Sequence, residues 1–206
     1  MLENAKRRLL TDVLDNKGLY LLLVFFLVMG ITAGTFTVSN MQYGSKEALS
    51  SFVSALFLSV QTASVDFLKV FFHALLQNTL FFSIITMFSL MVLGIPFIAL
   101  ALIFKGFCVG FTVGVLALNH GLGGIIAIVF CVFLPNLVLI PCICKAGVLG
   151  IGNAVLVFKS RHIPKTSADK LIMSRPHFKK MLKVYAVSLL GVLIETLLTP
   201  VLIQTL

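Results

Sequence analysis

Charge is what this chain has least of. Only 11% of its 206 residues are Asp, Glu, Lys or Arg, while 59% are hydrophobic. A soluble domain of this length covers its surface with about a quarter of its residues charged. The apolar residues come in long runs, so lipid must be the solvent for much of the exterior.

Acid is scarcer than base. Seven Asp and Glu stand against 16 Lys and Arg, a formal charge of +9. No recognition motif for nucleic acid accompanies the base, and basic loops are what hold membrane helices in orientation. Of the four cysteines, Cys108, Cys131, Cys142 and Cys144, only Cys142-x-Cys144 has ligand-like spacing. No second Cys or His pair lies near it to close a zinc site, and no cofactor or metal is expected. His73, His120, His162 and His177 fall in different segments without Ser-His-Asp or His-Glu-x-x-His logic. An enzyme is therefore not expected.

What is present reads as an all-α polytopic membrane protein with about five spans and one extracytoplasmic amphipathic helix, in a single membrane domain over 1–206. Residues 1–18 form a basic, cytoplasmic N-terminus. Leu19 to Val38 carries no charge over 20 residues, about 30 Å as a helix. Thr35 to Asn40 lacks a small-x-small cleavage site, so this run is expected to stay as span 1. Residues 39–79 are expected outside. There Leu49, Phe52, Leu56, Val60, Ala63, Phe67 and Val70 recur at helical spacing among polar residues, an amphipathic pattern over Glu47 to Leu76. Asp66, Lys69 and His73 argue against reading this stretch as a span.

Span 2 is expected over 80–104, bent at Gly94 and Pro96 and ended by Lys105. No ionic side chain occurs from Gly106 to Cys144, too long a run for one crossing. Asn119 to Gly124 offers a turn, giving a short span 3 at 106–118 and a span 4 at 122–144 broken by Pro135 and Pro141. Residues 145–183 form a basic cytoplasmic region and 184–206 form span 5. On this scheme only Lys46 and Lys69 of the 16 Lys and Arg lie outside, leaving 14 inside. That split follows the positive-inside rule, with the C-terminus outside.

Four features stand out as structural or interaction candidates. Glu195 falls within the last span, where a carboxylate costs about 2.5–3.5 kcal/mol unless partnered. It reads as a structural hydrogen-bonding group or as a proton relay, with Lys145 and Asn136 as candidate partners. Gly106, Gly110 and Gly114 line one helix face and permit close helix packing. Pro135-Asn136-x4-Pro141 removes two backbone donors within a span. That break forms either a substrate site or a kink shaping a protein-binding groove. In the outer region, Asp66 and Lys69 are candidate partner contacts.

Several segments together resemble the stage II sporulation protein M family. They are LYLLLVFFLVMGITAG (Leu19 to Gly34), FKGFCVGFTVGVL (Phe104 to Leu116), FLPNLVLIP (Phe133 to Pro141) and IETLLTP, where Glu195 precedes Pro200. Their order and spacing cover nearly the whole chain. The resemblance implies a role in endospore engulfment, in the mother-cell septal or engulfing membrane. It implies stage II sporulation proteins D and P, which cut peptidoglycan outside the membrane, as partners, with the membrane protein localising and assembling them. A second copy of the chain is a further candidate partner. The alternative function is a transporter or permease subunit, which should show internal repeats or several intramembrane polar groups.

Overall fold

A computed structural model describes residues 15–62, 67–91, 93–119, 128–159 and 167–205. The described residues form α1 (Lys17–Ser39), α2 (Tyr43–Thr62), α3 (Phe67–Ser89), α4 (Gly94–Asn119), a π-helical segment (Ile128–Phe133) continuous with α5 (Leu134–Lys159), and α6 (Ser167–Thr205). Among the described residues, five helices are long and apolar enough to cross a membrane: α1, α3, α4, the joined π-helix and α5, and Pro176–Leu198 of α6.

The helix bounds differ from the expected ones in the middle of the chain. Where one amphipathic helix was expected over Glu47 to Leu76, α2 ends at Thr62 and α3 begins at Phe67. Residues 67–76 thus belong to an apolar helix, despite Lys69 and His73. The stretch 80–104 is not one span, because α3 ends at Ser89 and α4 begins at Gly94, whose N–H donates to the Met91 carbonyl. Pro96 then sits in the first turn of α4, where its missing N–H is harmless, and bends nothing. The short span expected at 106–118 is the second half of α4, and Lys105 lies in its interior. Lys145 likewise lies inside α5 rather than at the start of a cytoplasmic region. The turn expected around His120 falls outside the described residues.

Chain direction follows from the contacts. Residues 30, 34 and 38 of α1 meet residues 103–107, 107–111 and 114 of α4, so the two run parallel. Asn78 pairs with Ser188 and Ser89 with His177, so α3 and α6 run antiparallel. Gly94, Gly150 and Gly147 approach Ala154, Ile98 and Leu102, so α4 and α5 are antiparallel. The apolar helices therefore alternate up and down. One end of the bundle gathers Lys17, Ser89, Gly94 and Lys159; the other gathers Ser39, Phe67, Asn119 and Ile128.

The joined π-helix and α5 form the centre, touching α1, α3, α4 and α6. Small side chains allow this: Cys142, Cys144, Ala146, Gly147, Gly150 and Ala154 are all buried. Around them pack Leu23, Phe82, Ile85, Ile98, Leu102 and Ile143. Hydroxyls on the outer faces are satisfied locally. Thr32, Thr35, Thr37 and Ser39 each donate to a carbonyl three or four residues back in α1. Lys46 Nζ reaches the Ser39 carbonyl at 2.6 Å, tying the start of α2 to the end of α1.

Candidate functional site

The glycine stripe is a helix seam, and it is two-sided. A Cβ on Gly106 would strike the Leu27 carbonyl, and one on Gly110 the Ile31 carbonyl. From α1, a Cβ on Gly30 would strike the Ile103 carbonyl, and one on Gly34 the Phe107 carbonyl. Gly114 differs, since its nearest neighbours are the Val38 side-chain carbons at 3.0–3.4 Å. Backbone thus meets backbone over two turns, the geometry that Gly-x3-Gly repeats allow. The α1 half of the seam, Gly30-x3-Gly34, is the glycine pair that ends the first segment of the family resemblance.

The proline break takes a definite form. Pro135 has no N–H to give to the preceding turn, and the chain ahead of it widens to a π-helix. Asn136 Nδ2 donates to the Val132 carbonyl at 2.8 Å, filling part of the deficit. Its Oδ1 is buried and has no hydrogen-bond partner among the described residues. Pro135 is buried, its carbonyl 3.5 Å from where a Cβ on Gly191 of α6 would lie, while Pro141 lies exposed inside α5.

Neither Asn136 nor Lys145 lines the cavity beside Glu195. Gly191 packs on Leu139, one turn before Glu195, which puts Lys145 well toward the opposite end. Lys105 of α4, whose Nζ lies 5.9 Å from the Phe81 ring centroid, and Glu195 of α6 are the charged groups of that cavity. The two line one cavity of about 230 Å³, with Gln77, Asn78 and Thr112 among its polar walls. A second cavity, about 430 Å³, adjoins it through Ala74, Gln77 and Glu195 and is lined further by Lys69 and His73. Lys69, His73 and Gln77 recur at i, i+4 and i+8, so they form one stripe down α3. The stripe descends about 12 Å from the helix start to mid-depth. Lys69 therefore joins the site, while Asp66 falls outside the described residues. Pro200 is in α6, with its side chain likewise undescribed.

Below this cavity the α3–α6 seam changes character. Asn78 Nδ2 donates to Ser188 Oγ at 2.9 Å, and the Thr79 and Tyr185 hydroxyls meet at 2.7 Å. Next comes an apolar layer of buried Phe82, Ile85, Met181 and Val184. Then Ser89 Oγ meets His177 Nε2 at 2.9 Å, and Asn153 Nδ2 donates to the Ser89 carbonyl at 2.9 Å. All three of these side chains are buried. Ser89 ends α3, so Asn153 supplies a partner that the helix terminus lacks. The polar space thus extends toward the Phe67 end through Lys69 and His73, and the buried apolar side chains Phe82, Ile85, Met181 and Val184 lie between it and the polar cluster at the Ser89 end.

The family model of Stage II sporulation protein M matches residues 22–200. No curated protein and no solved structure matches the chain. The chain belongs to the stage II sporulation protein M family, and its five apolar helices make it a multi-pass sporulation membrane protein.

Proposed function

We propose that this member of the stage II sporulation protein M family is a noncatalytic membrane scaffold that localises and assembles peptidoglycan hydrolases at the septal and engulfing membrane. The observation that carries the reading is the family match, which runs from the first apolar helix into the last. By resemblance the partners are stage II sporulation proteins D and P. The Lys17 end of the bundle faces the cytoplasm on this reading. Removing the mid-helix Lys105 and Lys145 from the 14 inside charges leaves 12, still against Lys46 and Lys69 outside, and so the positive-inside bias survives the new helix bounds. The wall-facing side then presents α2 and the start of α3.

The transporter reading gains one observation, the cavity that gathers Lys105, Glu195, Gln77 and Asn78 at span depth. Against it stands the layer of buried apolar side chains, Phe82, Ile85, Met181 and Val184, that lies between that cavity and the polar cluster at the other end. A binding pocket for a scaffold needs one mouth; a conduit needs two.

The test is co-purification of proteins D and P with the tagged chain from sporulating cells, with charge reversal at Asp66 and Lys69 as the variant. The scaffold account expects both hydrolases to come down with the wild type and less of them with the variant, at matched membrane levels. Failure of either hydrolase to associate with the wild type would remove the proposal.

A further inference from the structure

A groove of about 510 Å³ runs between α3 and α6 in the half of the bundle nearer Ser89, with Phe82, Thr86, Met87, Phe178, Leu182 and Tyr185 in its walls. The Thr79 and Tyr185 hydroxyls are spent on each other at its inner end, and Thr86 donates to the Phe82 carbonyl. The surface left over is mostly apolar. Met87 is 63% exposed and Leu182 66%.

Depth says what kind of occupant fits. Thr79 lies near the middle of α3, and from there to the helix end at Ser89 is about 15 Å, about half of a hydrocarbon core. The groove is thus one leaflet deep. A partner's membrane helix, about 10 Å across and running the full thickness, does not match so short a groove. An acyl chain of one leaflet does.

The mouth is basic. Lys179 and Lys183 are exposed on α6 at i and i+4, next in the chain to Phe178 and Leu182 of the groove wall. Side chains lean toward the N-terminus of their helix, and the contact of His177 with Ser89 puts that end of α6 at the mouth. Both ammonium groups therefore reach up to head-group level while the wall side chains stay in the hydrocarbon. Among the described residues of this end, Asp15 is the only acid.

We propose that the α3–α6 groove seats one acyl chain of an anionic phospholipid from the leaflet at the Ser89 end, its negative head group on Lys179 and Lys183. On the proposed orientation that is the cytoplasmic leaflet, whose surface is negative. The inference needs the groove and its rim, not the hydrolases, and it stands for either orientation of the bundle.

The experiment uses the full chain, purified in detergent, stripped of lipid and offered phosphatidylglycerol and phosphatidylcholine with identical acyl chains at equal mole fraction. Native mass spectrometry reads the retained lipid. Phosphatidylglycerol should be retained about twenty-five-fold over phosphatidylcholine, from about fivefold for each lysine near the surface. Replacing both lysines, Lys179→Gln with Lys183→Gln, should bring the ratio close to one. Ser83→Phe puts a ring into the groove and should lower retention of both lipids alike. A second reading takes the wild type in vesicles of the two lipids, where phosphatidylglycerol carries a photoactivatable diazirine midway along its acyl chain. Crosslinks should concentrate in 79–90 and 178–185. Equal retention of the two lipids by the wild type overturns the proposal, and so does crosslinking no denser in those segments than on the exposed face of α1. A groove covered by a second copy of the chain would exclude the lipid and give that second result. Both decisive readings use the wild type, so neither depends on the folding of a variant.

Discussion

The α1–α4 seam and the α3–α6 seam solve the same problem by opposite means. In the first, glycines remove side chains so that backbones touch, and nothing polar beyond the backbone takes part. In the second, side chains do the joining: Asn78 with Ser188, Thr79 with Tyr185, Ser89 with His177. Lipid tails are as apolar as leucine, so helices in a bilayer associate through close packing or through hydrogen bonds, not through hydrophobic expulsion. A backbone seam tolerates no added atom but is indifferent to chemistry. A hydrogen-bonded seam tolerates shape changes but needs its partners, and it can open into a cavity without falling apart.

The sharpest break in this comparison is Gly110→Leu. Its side chain would enter the Ile31 backbone, with no flexible neighbour to yield. We expect loss of most folded protein in the membrane, an effect of about 3 kcal/mol or more. Gly110→Ala should fall in the same direction, because a Cβ alone already overlaps that carbonyl. Gly114→Ala should be milder, since only the Val38 side chain must shift. Equal membrane accumulation of wild type, Gly110→Ala and Gly110→Leu would mean that the seam is not close-packed.

Next in size is Asn153→Leu. The Ser89 carbonyl then loses its donor in a buried place, and about 1–3 kcal/mol of stability in detergent should go with it. His177→Phe should act on the same cluster, and the double variant should lose less than the sum of the two. Strict additivity would show that Ser89, Asn153 and His177 do not act as one unit.

At the Phe67 end of the second seam, Glu195→Leu should destabilise by about 1 kcal/mol, and Glu195→Gln by less than about 0.6 kcal/mol. The order matters more than the size. Glutamine keeps hydrogen bonding in a cavity that already holds Gln77 and Asn78, whereas leucine offers those polar walls nothing. Equal loss in the two variants would make the charge itself the stabilising feature.

Gly152 is the counter-case to the seam glycines. No heavy atom lies within 4 Å of a Cβ placed there. Gly152→Ala should raise thermal stability slightly, by about 0.5–1 kcal/mol, because the helix backbone gains stiffness and meets nothing. A loss on the scale of Gly110→Ala would place an unseen partner against that face of α5.

The two seams were not equally legible in the sequence. The glycine seam was, because Gly-x3-Gly spacing is local and the packing it permits does not depend on the partner. The first apolar helix was legible for a similar reason, since 20 uncharged residues admit one reading. The α3–α4 hairpin was not. Its turn, Leu90-Met91-Val92-Leu93, is apolar and gives no compositional break. Lys105, the one charge in a long apolar run, instead looked like a helix end. Lys69 and His73 made the start of α3 look too polar to cross. Each of these signals was local, while the answer is tertiary. The side chains are tolerated because they share a cavity with Glu195, 90 residues beyond Lys105 in the chain. Periodicity cannot see such a pairing.

The central claim is that α3 crosses the membrane and carries the Lys69–His73–Gln77 stripe into a polar cavity, with its Phe67 end outward as proposed. Thiol accessibility tests it directly. In a background with Cys108, Cys131, Cys142 and Cys144 replaced by Ala, single cysteines are placed at Gln77 and at Leu90, and intact cells are exposed to a membrane-impermeant maleimide. The account predicts that Gln77→Cys is labelled from outside, although it lies near the middle of an apolar helix, and that Leu90→Cys is labelled only after the cells are opened. Labelling of Leu90→Cys in intact cells, or protection of Gln77→Cys from outside with labelling from within, would contradict it.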